Sequence, residues 1–336
     1  MPKFMKQRLI LILLLAVTIG ILAGCGGGQA NKDQNNQNKG SFDLGMKSDD
    51  IVATYKGGSV TAGEFEQYLS FLGVMNPQDT TLKDPTTWPD ILDAYVGQKI
   101  LAARATEKGI KPNQTEIDQY LSQQKGAITQ NLKGEDYNQY LARQGLNEGK
   151  MKEFLTQFNL IDQYLLTSKS DEELKKIYDQ DKDSYTIASV RHILITTEKR
   201  KDDEAKKLAQ DLADRIRKGE DFAALANQYS EDPGNTNQDG TKNGGLYENT
   251  PVANWVEPFK KAALELPLNQ VSDPVKTDYG YHVMRVEKRE VQPFDQVKQE
   301  IAGQQAYLAY MNFMSQELPK LIEKKNLPAK TESQKK

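Results

Sequence analysis

Histidine is nearly missing from this chain. There are two among 336 residues, with one cysteine and two tryptophans. A lone cysteine excludes an intramolecular disulfide. Two histidines without an obvious third ligand make a poor metal site, so neither metal nor other cofactor is expected. Excess charge of one sign is also lacking: the formal net charge is −3, and such weak acidity argues against nucleic-acid binding. The glycine-rich pieces "NGG" and "DYG" stand outside any G-x-G-x-x-G or P-loop context, which argues against a phosphate loop. No period of 20–50 residues is evident. Past the N-terminus, no apolar run is long enough to span a bilayer.

What is present begins with a basic head, "MPKFMKQR", followed by the apolar run "LILILLLAVTIGI" and then "LAGC", ending at Cys25. Head, apolar core and small residues make a secretory signal over residues 1–24. L-A-G-C resembles the lipobox of bacterial lipoproteins, which implies lipidation of Cys25. An incidental cysteine at the end of a signal peptide is the plainer alternative. Two acyl chains, at about 0.8 kcal/mol per buried CH₂, would hold the protein on a membrane. Cleavage before Cys25 would remove Lys3, Lys6 and Arg8 and no acid, taking the formal charge of −3 down by three, to −6. "GGGQANKDQNNQNKGS" then reads as a flexible tether, giving a linker over 25–48. "PAKTESQKK" reads as a polar tail over 328–336.

Two textures follow. Residues 49–184 are mostly helical in pattern. "IVATYKGGSVT" predicts a strand, a Gly-Gly turn and a second strand. Thr61 with Glu64 forms a capping box ahead of Phe65, Tyr68, Leu69 and Leu72 at helical spacing. Pro89 suits a first helical turn, in a helix that Gly109 would close. Asn113 with Glu116 and Ser170 with Glu173 repeat the capping spacing. Residues 185–290 change character: "YTIASVRHILIT" predicts a strand, Asp202 or Asp203 the cap of a helix ending at Gly219, and "DFAALANQYS" a second helix. After the loop "EDPGNTNQDGTKNGG" come a short strand near Leu246, a helix in "WVEPFKKAALEL", and strands "NQVSDPVKT" and "YHVMRVEKR". Sheet and helices in so short a segment predict a compact α+β domain. Residues 291–327 are helical again and should pack against the first helical region, which makes the strand-rich part an insertion.

Both histidines fall inside strand patterns. His192 shares its face with Val190 and Leu194, and His282 with Met284 and Val286. A buried imidazole left unpaired costs about 1–3 kcal/mol, and two on adjacent strands satisfy each other. Two unrelated core histidines bonded to backbone would give the same pattern.

The pieces "RHIL", "DFAALANQYSEDPG", "NGGL", "EPF" and "VSDPVKTDYGYHVMRV", in order, resemble a parvulin-type peptidyl-prolyl isomerase domain. With the lipobox and the helical flanks, the chain resembles the PrsA-type foldase lipoproteins. The resemblance implies a small antiparallel sheet with surrounding helices, inserted in a mainly helical chaperone domain, an α+β fold. It implies that His192, Asp232, Thr277, Tyr279 and His282 form the catalytic constellation, and that Leu246, Trp255 and Phe259 wall a proline pocket. "GGLY" stands where the family commonly has "GDLG", and Trp255 replaces a more usual methionine. Asp232 also reads as a loop acid capping the turn before Pro233.

Rotation about an X-Pro bond faces a barrier of about 18–20 kcal/mol from amide resonance. No bond breaks, so a catalyst need only favour the twisted amide. The expected function is isomerisation of X-Pro bonds in newly translocated secreted proteins, on the outer face of a Gram-positive type membrane. The partners are unfolded clients and the membrane, and the resemblance leaves room for a homodimer. The sharpest rival is a holdase with an inactive parvulin module. A solute-binding lipoprotein would need two lobes with parallel sheets.

Overall fold

A computed structural model describes residues 42–328. The expected signal and lipidation at Cys25, most of the expected linker and nearly all of the expected tail lie outside them. The chain divides into two compact units. One runs up to Lys169 and resumes at Ala302; the other is Ser170–Ile301.

The helical unit opens with β1 (Ile51–Tyr55) and β2 (Gly58–Thr61), an antiparallel pair turning at Gly57. Thr61 caps α1 (Ala62–Met75) in the predicted box: its hydroxyl accepts from Glu64 N–H, and the Glu64 carboxylate accepts from Thr61 N–H. Next come α2 (Trp88–Glu107), with Pro89 in its first turn, α3 (Gln114–Asn131), α4 (Tyr137–Arg143) and α5 (Glu148–Leu166). Asn113 accepts from Glu116 N–H at the start of α3, but the Glu116 side chain turns to Asn159, so the reciprocal bond is not made. Tyr68, Phe71, Tyr95, Phe154 and Phe158 form the centre of the core, with ring centroids as close as 4.3 Å.

The C-terminal run is less regular than its composition suggests. After α10 (Phe294–Asn312) a π turn covers Phe313–Glu317, then α11 (Leu318–Leu321) leads into β7 (Ile322–Lys325). β7 completes a sheet of order β2-β1-β7. A helix was expected there; backbone groups left open on β1 recruit the segment instead, which no local pattern announces. Phe313, Met314 and Leu318 press against Gly97 of α2, where a Cβ would crowd all three.

In the other unit, α6 (Asp171–Gln180) starts with the predicted Ser170–Glu173 capping box. β3 (Thr186–Thr196) leads to α7 (Asp202–Arg217) and α8 (Phe222–Tyr229). β4 (Leu246–Pro251), α9 (Glu257–Glu265), β5 (Val275–Thr277) and β6 (Gly280–Val291) follow. The sheet is antiparallel, in the order β4-β3-β6-β5. Ile193, Ile195, Tyr281 and Val283 face α7 and α8, while Val190, Met284 and Val286 face α9.

Two local expectations are corrected. Lys201, not Asp202 or Asp203, stands at the N-cap of α7, with no side-chain bond. Asp202 sits in the first turn and takes Lys276 and the Tyr281 hydroxyl, an acid placed well for the helix dipole. The strand expected over "NQVSDPVKT" shrinks to Val275–Thr277, with one isolated bridge at Val271. Asn269 has φ +63, and Pro274 has no N–H for a ladder.

Candidate functional site

The site grows from register. β3 and β6 pair so that His192 stands opposite Met284 and Leu194 opposite His282. The two histidines are diagonal neighbours on one face, within reach of each other. Both are buried, at 3% and 5% exposure. Their Nδ1 atoms lie 3.2 Å apart. His192 Nε2 is 2.8 Å from Asp232 Oδ2, and His282 Nε2 is 2.9 Å from Thr277 Oγ1. Tyr279 N–H donates to the same Thr277 oxygen at 3.2 Å.

Hydrogen-bond logic gives this chain a direction. Burial pushes the Asp232 carboxyl up, but bonds from His192, Tyr247 and Gly234 N–H hold it at about 2. An ionised Asp232 only accepts, so His192 Nε2 carries its proton. With both rings neutral, His192 Nδ1 accepts from His282 Nδ1–H, and His282 Nε2 accepts from the Thr277 hydroxyl. Every donor then points toward Asp232, and no imidazole nitrogen is left unpaired. Burial, with the neighbouring His192, pushes the His282 imidazole down to about 3, so it stays neutral.

Asp232 makes two separate sets of contacts. Oδ1 accepts from Gly234 N–H and caps the turn through Pro233, while Oδ2 joins the histidine chain. The loop beyond is pinned by buried Asn235, whose Nδ2 donates to Ala226 O and whose Oδ1 accepts from Gly245 N–H. Gly245 O in turn accepts from His192 N–H. Gly245 has φ +73 and lies where a Cβ would strike the His192 carbonyl, so the close approach demands glycine.

A cleft of about 460 Å³ opens onto this network. Phe259 stands edge-on to both imidazoles, with centroids 5.2 and 5.1 Å away, and Trp255 lies edge-on to Phe259 at 5.1 Å. The Tyr279 ring is 60% exposed at the mouth. Lys199, Glu198 and Glu231 also line it, and Arg200 clamps Glu231 with bonds of 2.6 and 2.8 Å.

The structure therefore brings together His192, His282, Asp232, Thr277, Tyr279, Trp255 and Phe259. Thr277 sits behind His282 rather than on the cleft. Leu246 is not a wall residue. It pairs with Arg191, whose side chain turns from the His192 face, while the next residue, Tyr247, pairs with Val190 and lines the cleft. Strand alternation makes the exchange: one step along β4 switches faces. The reading of the sequence missed Tyr247, although the "GGLY" departure marked the spot. It also missed Asn235, for which the loop composition holds no signal. Among the described residues, no three His, Cys, Asp or Glu side chains group to hold a metal ion.

Known proteins resemble this chain along most of its length. A family model described as the PPIC-type PPIase domain matches residues 173–290, and one described as the SurA-like N-terminal domain matches residues 1–165. The foldase protein PrsA of Caldanaerobacter subterraneus subsp. tengcongensis is 32% identical over 267 residues, covering 75% of this chain and 78% of that one. PrsA of Clostridium acetobutylicum is 35% identical over 224 residues, covering 63% and 64%. Among solved structures, that of the peptidylprolyl isomerase PrsA from Bacillus cereus aligns with 82% of this chain and 92% of its own, at 24% identity and a TM-score of 0.43.

Proposed function

The chain belongs to the PrsA foldase family, and from that membership we propose how its cleft works and where the protein acts. It is a parvulin-type peptidyl-prolyl cis/trans isomerase that assists the folding of secreted proteins outside the cytoplasm. The observation that carries the site assignment is the unbroken hydrogen-bond chain from Thr277 to Asp232 on the floor of an aromatic cleft.

In this reading Trp255 and Phe259 grip the proline ring and exclude water. Amide resonance places negative charge on the carbonyl oxygen and double-bond character on C–N. A fixed anion at Asp232 near that oxygen disfavours the charge-separated form and so lowers the cost of twisting. The anion is already in place before substrate arrives, so nothing reorganises at the moment of rotation. All three bonds that Asp232 accepts are with the protein, which suits a fixed charge better than a covalent attacker. A thousandfold acceleration needs only about 4 kcal/mol.

Isomerisation of an X-Pro peptide panel by the protein from Gly26 onward, beside Asp232→Ala, tests this. Acceleration by the parent and a loss of about a hundredfold in the variant are expected. Equal acceleration by the two would remove Asp232 from the reaction. The holdase alternative, with a silent cleft, predicts no acceleration by either protein.

The proposal extends to the membrane. Cys25 after "LAG" supports a cleaved signal and a lipid anchor, which would hold the foldase on the outer face of a Gram-positive type membrane. No helix among the described residues is long and apolar enough to cross a membrane. Cys25→Ser should move the protein from the membrane fraction to the medium; an unchanged distribution would reject the anchor. The homodimer is tested by sedimentation velocity, where a single species of one-chain mass rejects it.

A further inference from the structure

Tyr247 is the one cleft residue that reaches the histidine chain from β4. Its ring lies 5.1 Å from the His192 ring at 28°, and 6.4 Å from Trp255. Its hydroxyl donates to Asp232 Oδ2 at 2.8 Å, the same oxygen that His192 Nε2 approaches at 2.8 Å. We propose that Tyr247 is a positioning residue of the isomerase site: its hydroxyl fixes the Asp232 carboxylate against His192, and its ring forms the wall that Leu246 does not.

Three observations bear on this. Register puts Tyr247 opposite Val190, on the His192 side of the sheet. Gly234 makes room for it: a Cβ there would run into the Tyr247 hydroxyl and ring. Glycine at 234 and tyrosine at 247 are thus mutually dependent, although thirteen positions apart. Finally, the loop carrying Asp232 is anchored by Asn235, at 0% exposure, so the Tyr247–Asp232 distance belongs to a rigid frame.

The other charged and titratable groups around Asp232 are His192 from β3, His282 behind it on β6, and Glu198, Lys199 and the Arg200–Glu231 pair at the mouth. None of these except His192 bonds Asp232. Burial and the Asp232 charge push the Tyr247 phenol upward, so it stays a neutral donor. Without that hydroxyl, more of the carboxylate's charge falls on His192 Nε2–H.

The proposal rests on the cleft being the prolyl isomerase site, so its test carries a readout that does not depend on catalysis. In the full-length protein, Tyr247→Phe should lower kcat about tenfold with little change in KM, because the ring wall remains. Tyr247→Leu should also raise KM. By proton NMR, simplified by there being only two histidines, the His192 Nε2–H resonance should move downfield in Tyr247→Phe as its bond to Asp232 tightens. Gly234→Ala should displace the hydroxyl and reproduce the kcat loss, yet cost less when added to Tyr247→Phe, the non-additivity expected of coupled neighbours. Parent kcat together with an unmoved His192 resonance in a folded Tyr247→Phe variant would overturn the role of Tyr247 and leave the isomerase intact. A shifted resonance in a protein whose parent catalyses nothing would support the positioning and reject the isomerase reading.

Discussion

In the helical unit the largest fully buried side chains include Tyr68, Phe71 and Phe158, and several polar atoms among its buried groups stand alone. Tyr137 Oη, Gln157 Oε1 and Asp162 Oδ2 are buried without a hydrogen-bond partner, against Arg285 Nε alone among the described residues of the sheet unit. In the sheet unit the apolar side chains divide between two faces, and on the α9 face they give way to His192, His282, Thr277 and Asp232, each bonded to the next. One unit uses burial to make a stable body. The other uses a part of its interior to hold polar groups in fixed geometry, which is what a charged site requires. The difference teaches where chemistry can reside: isolated buried polar atoms cost stability, while a closed chain of them costs little and keeps its orientation.

The sharpest way to break this comparison is to damage the first unit alone. Phe71→Ala removes a fully buried ring packed against Phe154 and Phe158, and should cost about 3–5 kcal/mol. Calorimetry should show one transition lowered while isomerase activity of the folded protein at low temperature persists. Activity falling in step with the first transition would mean that the units unfold as a single body. A smaller effect is expected within the second unit. Thr277→Val leaves His282 Nε2 and Tyr279 N–H without their partner, a loss of about 1–3 kcal/mol. It should lower the isomerisation rate about tenfold and leave the helical transition where it was; an unchanged rate would show that the chain need not be closed at that end.

The two units should also respond to pH in opposite senses. His282 is held at about 3 in the native state, against an ordinary value of about 6.5. As pH falls from about 6.5 to about 3, the unfolded chain takes up a proton that the native unit refuses, so the sheet unit loses stability. Asp232, at about 2 when folded, adds a contribution present above about pH 4 and lost as pH drops through 2. Asp162 behaves the other way. Burial, with Glu116 nearby, lifts it to about 8 at 7% exposure, so the native form keeps a proton that the unfolded chain releases above about pH 4. The helical unit therefore loses stability as pH rises from about 4 to about 8, at up to about 1.4 kcal/mol per pH unit. Asp162→Asn should flatten that slope in thermal melts at pH 5 to 8 without touching the acid sensitivity of the sheet unit. A slope that survives the substitution would place its origin elsewhere.

How much of this was legible depends on how local each signal is. Strand alternation placed His192 and His282 on the face they occupy, because a period of two needs only neighbours to be read. The resemblance supplied Asp232 and Thr277, which no periodicity links to the histidines. Leu246 was read as a wall where Tyr247 stands, since the face of β4 is decided by its register against β3 and the irregularity between Ala188 and Val190. β7 was read as helix because a strand of four residues is recruited by the open side of β1, far away in sequence. Asp162 is buried beside the apolar stripe of α5, and the acid near it, Glu116, lies on α3, far away in sequence.

Capping boxes are the most local of these signals, and they set the lower end of the scale. The reciprocal bonds of Thr61 and Glu64 satisfy two backbone donors, one at the start of α1 and one on Thr61 itself. Glu64 is also bonded to Lys99 of α2 at 2.8 Å, so the box ties the two helices as well as ending one. Thr61→Ala should cost about 1 kcal/mol, the usual worth of such a cap, and should lower only the helical transition. Ser170→Ala, in the matching box at the start of α6, should cost about the same and lower only the transition of the sheet unit. Equal small losses on separate transitions would show that the two units differ in what they bury and not in how their helices begin; a loss shared by both transitions from either variant would show that the division between them is not an energetic one.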